Sequence, residues 1–565
     1  MLKKDNLITN IIISVVMNKK DAVIKASLCI CFLVIAAGFS VRAQDSSKRK
    51  TIEVTSSFKP VLREAAKINF NAVPPPVDSS RRVLQYNVPS QNLFFTYQPA
   101  ALKPVTLQTA SLTNWDQNNY VKAGVGNVIA PYLEAGFSHQ KDSSTNLNAF
   151  AHSYASKGNL PFQKNTQTGV TLAGTFRSAN SNEWNARLGF TSDDYYFYGY
   201  RPSALSFTKS QLLQRFQTVE GRLGLRNTVP TEYGLQYNPH LNVSVFSGKN
   251  TFNKATEANS VLNLPLEKSF EEFAIKLGFG ADLTSYRPSG KNNIQNNLFT
   301  VSPSVAFRSS NVHLQLGIMP SWDNKAFKML PDIMADITTE DQRFTIQAGW
   351  IGHYDKGSYQ RFAGINPWIA QPITLLNTRI VERYTGFKGS VLNHITYSAK
   401  VGFNSYRNMP LFVNDSIDGK TFTTVYATSL NAFQVHGEIG FTQGEIFNAK
   451  AGLNINQYLN VRNQDKAWGM IPLELTGSIR WQLFKDFWLK SELYAFDGAQ
   501  YRDPKTKKAL KGSSGLDLNA GAEFKITKQF NLWVQLNNLF NSRYERWNQY
   551  HVYGFNVLGG IAFSF

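Results

Sequence analysis

The chain has 565 residues, 42% of them hydrophobic and 13% aromatic, and 59 Lys and Arg against 39 Asp and Glu give a formal charge of +20. Mean hydropathy is −0.27, and past the N-terminus no apolar run reaches the roughly 20 residues of a membrane helix, which excludes helical spans. The cations are scattered singly along the chain, which points away from nucleic acid and toward solvated lumen and loop charge near anionic lipid headgroups.

Met17-Asn18-Lys19-Lys20 and Lys25 form a positive segment, Ala26 to Ala37 a short apolar one, and Val41-Arg42-Ala43 a small-residue cut site before Gln44. This order predicts a secretory signal peptide over residues 1–43. Both cysteines, Cys29 and Cys31, lie in that apolar run. A chain cleaved after it has no disulfide, thiol nucleophile or cysteine metal site.

Residues 44–118 carry Pro60, Pro74-Pro75-Pro76, Pro89, Pro99 and Pro104 and little alternation. Such a composition favours extended chain over a packed domain. Residues 44–118 are therefore expected to be a periplasmic or lumenal segment that acts as a minimal gate.

From Asn119 onward, apolar and polar residues alternate. Phe273, Ile275, Leu277 and Phe279 interleave with Ala274, Lys276, Gly278 and Gly280, and Ile471, Leu473 and Leu475 with Pro472, Glu474 and Thr476. A period of two puts one set on each face of a strand. Repeated to the end of the chain without helical periodicity, it predicts an all-β fold, a transmembrane antiparallel barrel over residues 119–565 with one face in lipid and one in water. Successive alternating runs give about 22 strands, the number found in plugged outer-membrane transporters. Short polar turns are expected at Ser178–Asn182, Glu267–Phe270, Thr339–Asp341 and Gln443–Glu445, and long loops at Asp193–Arg215, Tyr354–Leu375, Arg407–Ser429 and Asp497–Ser513. Short turns belong on the periplasmic side and long loops outside.

No catalytic or metal-binding spacing appears. The eight histidines are dispersed, and no H-E-x-x-H, G-x-S-x-G or P-loop pattern is present. The expectation is a protein that is not an enzyme and has no cofactor or metal. The most distinctive loop runs through Asp193, Asp194, Tyr195, Tyr196, Phe197, Tyr198, Gly199, Tyr200 and Arg201. Rings flanked by charge suit stacking on a flat ligand; equally, alternate aromatics suit the girdle at a membrane interface.

The chain ends on Phe555, Val557, Gly559, Ile561, Phe563 and Phe565, all on one strand face. A barrel-closing strand can carry such a face to its last residue, whereas a soluble sheet edge would aggregate. Leu536–Tyr550 (LNNLFNSRYERWNQY) followed by Gly554–Phe565 (GFNVLGGIAFSF) resembles the last two strands of TonB-dependent outer-membrane receptors. Asn366-Pro367-Trp368-Ile369-Ala370-Gln371-Pro372 is similar to the family's N-P-x-L-x-P-E loop, departing from it at Gln371-Pro372.

The resemblance covers the barrel and not the family's plug domain, for which residues 44–118 are too short. It implies a Gram-negative outer-membrane location and uptake of a solute. It also implies that Phe563 and Phe565 are read by the barrel-assembly machinery, and that Thr51-Ile52-Glu53-Val54-Thr55, which resembles the TonB box, pairs with an edge strand of TonB. Two other readings of the barrel stay open: a scaffold for a surface complex, with a surface lipoprotein as partner, and a passive porin-like channel.

Overall fold

The computed structural model describes residues 119–141, 144–392 and 394–565. The signal peptide, the Pro-rich segment and Thr51–Thr55 lie outside the described residues. The described chain forms one antiparallel sheet closed on itself. Neighbours in sequence pair in turn around the ring, and the first strand, Tyr120–Gly126, pairs with the last, Asn556–Ser564. Leu235–Tyr237 and His240–Asn250 run along the same neighbour, Lys254–Phe270, on either side of Asn238-Pro239. Counting those two as one makes the sheet's 23 strands a barrel of 22.

The alternation sorts as expected. Phe190, Val219 and Val245 lie directly opposite one another on three adjacent strands and are all exposed on the outer wall. The intervening positions face the lumen and are polar: Arg187 meets Glu220 at 3.6 Å, Lys400 meets Glu382 at 2.6 Å, and Lys388 meets Asp336 at 3.4 Å. An outward charge at the membrane midplane would cost ~2–4 kcal/mol, which is why each of these ions sits on the inner face.

The seam is packed from inside. Gly124 and Gly560 face each other across it, and the Trp533 indole lies over them. A Cβ on Gly124 would come within 2.6 Å of that ring, so only glycine admits the indole there. Lys122 Nζ stands 4.3 Å from the same ring. The chain termini of the barrel meet at this end: the Asn119 N–H donates to the Phe565 carbonyl at 3.1 Å and the Phe565 N–H returns the bond at 3.0 Å.

Some boundaries differ from the expected ones. The strand Lys254–Phe270 runs through the expected turn at 267–270, and the turn is Glu271–Glu272. One connection at the Phe565 end, 228–234, is longer than a tight turn, and the strand it leads into is interrupted at Asn238-Pro239, since Pro239 cannot donate to a ladder. At the opposite end, not every connection is long: Asn127–Val128 and Asn324–Lys325 join their strands directly.

Candidate functional site: the closed mouth of the lumen

The long connections at the end away from Phe565 fold together over the lumen. Segment 356–377 carries a short helix, Tyr359–Ile365. Ser358 starts it, its side chain accepting from the Arg361 N–H at 3.1 Å. Asn366-Pro367 ends it, since proline cannot continue the ladder. Spacing of three and four puts Tyr359, Phe362 and Ala363 on one buried face.

That face meets the barrel wall. Tyr359 makes ring contacts with Phe216, Phe246 and Tyr286 at 6.0, 5.2 and 5.7 Å between centroids. All three are lumen-facing strand residues. A Cβ on Gly248 would lie 2.5 Å from the Tyr359 hydroxyl, so the wall is cut back where the loop docks.

Polar anchors from the wall fix the segment in place. The Glu257 carboxylate accepts the Tyr359 and Gln360 N–H groups at 2.6 and 3.2 Å, a carboxylate at the positive end of the helix. Gln214 Nε2 donates to the Ile369 carbonyl at 2.8 Å. Asn296 Nδ2 donates to the Gly357 carbonyl at 2.9 Å and to Asn377 Oδ1 at 2.8 Å. Lys356 Nζ donates to the carbonyls of Asp282 and Asn296 and pairs with the Asp282 carboxylate at 3.2 Å.

A hairpin of Met409–Asn414 and Phe422–Ala427 lies against this loop. Its alternation serves two cores. Phe412 joins Tyr359, Phe362, Trp547 and Tyr550, while Leu411 and Val413 join Ile380, Leu430 and Trp468. The hairpin tip is organised by Asp415, whose carboxylate accepts the N–H groups of Ile417, Asp418 and Thr421. Burial pushes this carboxyl up, but those donors outweigh it and hold it below the usual carboxylate range.

The last connection, 538–555, completes the closure. Trp368 stacks on Tyr550 at 3.9 Å between centroids and 23° between planes, and its indole N–H donates to the Tyr196 carbonyl at 3.1 Å. The Asn366–Pro372 stretch is thus part of the mouth itself.

The loop singled out in the sequence is drawn into the same cluster. Asp194 pairs with Arg215 at 2.6 Å on the outer face of the wall, while Asp193 lies on the lumen side of the same strand. Tyr195, Tyr196 and Phe197 are buried. Tyr198 donates to the His551 carbonyl at 2.7 Å and packs on Tyr550 at 4.9 Å. Tyr200 packs on Phe207 at 4.9 Å, and the Arg201 guanidinium stays mostly exposed, 3.8 Å from Glu545. Burial pushes the phenols of Tyr198 and Tyr550 well up, so both remain neutral donors.

At the other end, Phe563 packs on Phe530 and Phe565 at 4.8 and 5.4 Å, and Phe565 on Phe137 at 6.1 Å. Glu257, Gln214 and Asn296 gave no sequence signal beyond their lumen-facing parity, and Lys356, in the loop itself, gave none. Among the described residues no group of three His, Cys, Asp or Glu is placed to hold a metal.

No family model matches the chain, and no curated protein matches it. Solved structures do. The FrpB iron transporter of Neisseria meningitidis superposes with a TM-score of 0.62 at 10% identity, over 80% of this chain and 82% of that one. The ferric enterobactin receptor PfeA of Pseudomonas aeruginosa, in a complex with enterobactin, gives 0.60 at 11%, over 79% and 81%. The siderophore receptor PirA of the same organism gives 0.57 at 10%, over 79% and 80%. At such identities the likeness is one of fold: a closed antiparallel barrel of 22 strands, the barrel these receptors share.

Proposed function

We propose that the protein takes up a solute across the outer membrane through a lumen that its own loops hold shut at the outer end. The observation that carries this reading is the docked segment 356–377, seated on lumen-facing side chains of the wall. A 22-strand lumen is wide enough to need a plug, and a passive channel gains nothing from a buried aromatic core across its mouth. The solved structures of this fold include an iron transporter and siderophore receptors, which supports solute uptake as the class of function.

On this reading the long loops face outside and the Phe565 end faces the periplasm. Asp193, Tyr195, Tyr196, Tyr198, Tyr200 and Arg201 meet the solute when the mouth opens, Asp194 being turned to the outer face and held by Arg215, and Trp368 and Tyr550 then offer further rings for stacking. Thr51–Thr55 pairs with TonB, and residues 44–118 gate the periplasmic side. Phe563 and Phe565 engage the barrel-assembly machinery.

The test compares wild type with Ile52→Pro and with a deletion of residues 50–110 behind the same signal peptide. Proline removes a donor from a paired strand. Ile52→Pro is expected to abolish uptake at unchanged protein level, and the deletion to admit small antibiotics. If both variants behave as wild type and a surface lipoprotein co-purifies, the barrel is a scaffold.

A further inference from the structure

We propose that the outer wall at the long-loop rim, from the strand Thr145–Lys157 to the strand Phe273–Arg287, docks the phosphate groups of an anionic lipid in the outer leaflet. The inference rests on the proposed sidedness, with the long loops outside.

The cations involved come from six strands and gather at one end of the wall. Lys157 lies directly opposite Lys164. Arg215 lies opposite Lys249, and Lys249 opposite Lys254. Arg287 lies opposite Thr256, two residues along from Lys254 on the same strand. Each falls on the outward parity of its strand, the parity of Leu172, Leu188, Val219, Val243 and Leu283, all exposed on the lipid wall.

Like charges directly opposite on adjacent strands repel. Here two such pairs share Lys249 on three adjacent strands and a third, Lys157 with Lys164, lies beyond the strand Asn182–Tyr196, which supplies the one acidic group among them. Asp194 is engaged by Arg215, with two bonds of 2.6 and 2.7 Å. Among the described residues, Lys157, Lys164, Lys249, Lys254 and Arg287 take part in no salt bridge. The lumen also opposes like charges, Arg187 to Arg222 and Arg480 to Lys490, but there Arg187 reaches Glu220 at 3.6 Å and Lys490 reaches Glu523 at 3.9 Å. A set of cations on the lipid face with no carboxylate to pair with calls for an anion supplied from outside that face.

The height of the charges selects the headgroup layer. Phe190, Val219 and Val245 form an apolar row. Two residues farther along, Ser192, Gln217, Ser247 and Thr256 form a neutral polar row, and two farther still come Asp194, Arg215, Lys249 and Lys254. Four residues span ~13 Å of strand, or ~10 Å along the membrane normal for strands tilted ~40°. That distance carries the charges out of the hydrocarbon and into the phosphates. At the turn ends of these strands the outward positions hold Leu147, Phe176, Trp184, Leu241 and Phe270, with Lys268 as the counterpart cation, stacked 5.1 Å over Phe270. The charge therefore belongs to one leaflet.

The test measures binding of lipid A, of fully dephosphorylated lipid A and of inorganic phosphate to the full-length protein in neutral detergent micelles. Lipid A should bind, weaken as salt rises, and lose about fivefold in affinity for each charge removed by Lys249→Gln and Lys254→Gln. Lys249→Arg should restore binding, and Lys268→Gln should leave it unchanged. Heat-modifiable mobility confirms that each variant is a folded barrel. Equal binding by the dephosphorylated lipid, full competition by inorganic phosphate, or an unchanged double variant overturns the proposal. Sidedness is read separately, by labelling a cysteine at Thr506 with an impermeant reagent on intact cells. Labelling together with failed lipid binding sinks the rim alone; lack of labelling sinks the outward orientation on which both readings stand.

Discussion

The wall and the mouth of this barrel obey opposite rules. On the wall, every second residue meets lipid, partners are the next strands in sequence, and charges at mid-height sit inside. At the mouth, rings from segments as far apart as Tyr198 and Tyr550 form one buried cluster, and polar wall groups serve as anchors. The wall is held by a continuous ladder that cannot open strand by strand without exposing backbone to lipid. The mouth is held by a finite set of contacts, so it can come loose while the wall stays closed. The proposed uptake needs both properties, a permanent wall and a releasable lid.

The largest effect is expected where wall closure itself fails. Phe565→Asp removes the ring that packs on Phe563 and Phe137 and places a charge on the lipid face. Heat-modifiable barrel in the outer membrane should fall to background, and unchanged levels would refute the role of the terminal aromatic.

Next comes Tyr359→Ala, which deletes the ring shared by Phe216, Phe246 and Tyr286. Aromatic-to-alanine changes in packed sites cost ~3–5 kcal/mol, here expressed as local opening. Protein level should hold while protease nicking within 356–377 rises and antibiotic influx increases. Equal loss of the whole barrel would show that mouth and wall fold as one unit.

Glu257→Gln probes the anchor alone. Hydrogen bonds to a charged group contribute ~1.5–3 kcal/mol, and the amide keeps the shape, so opening should increase less than in Tyr359→Ala. Gly248→Val approaches the same contact from the wall by crowding the Tyr359 hydroxyl, and it should reproduce the phenotype without touching the loop.

The smallest effect concerns pH. The Asp415 carboxyl is held below its ordinary range when folded, so its contribution is present above the unfolded pKa and is lost as pH falls through the depressed folded one. Hydrogen exchange at Ile417, Asp418 and Thr421 should stay slow through neutral and mildly acidic pH and speed up only in strong acid. Acceleration near neutrality would mean that the backbone donors do not outweigh burial.

Strand number, strand face and the meeting of both barrel ends were legible in the sequence because they follow from a local period. Lys276 and Glu474 could be assigned to the lumen before any partner was known. Tyr195 and Tyr198 could not be placed the same way. Their neighbours in sequence suggested a ligand platform or a membrane girdle, and their neighbours in space are Trp368 and Tyr550. The cations show the same limit: Lys164, Arg215, Lys249 and Arg287 are isolated along the chain and gather only when register brings their strands side by side. Alternation tells each residue which face it takes, since a slip of one would invert the whole strand against lipid. Which loops fold inward, and which charges become neighbours, depends on contacts between residues hundreds of positions apart, and those only the closed barrel decided.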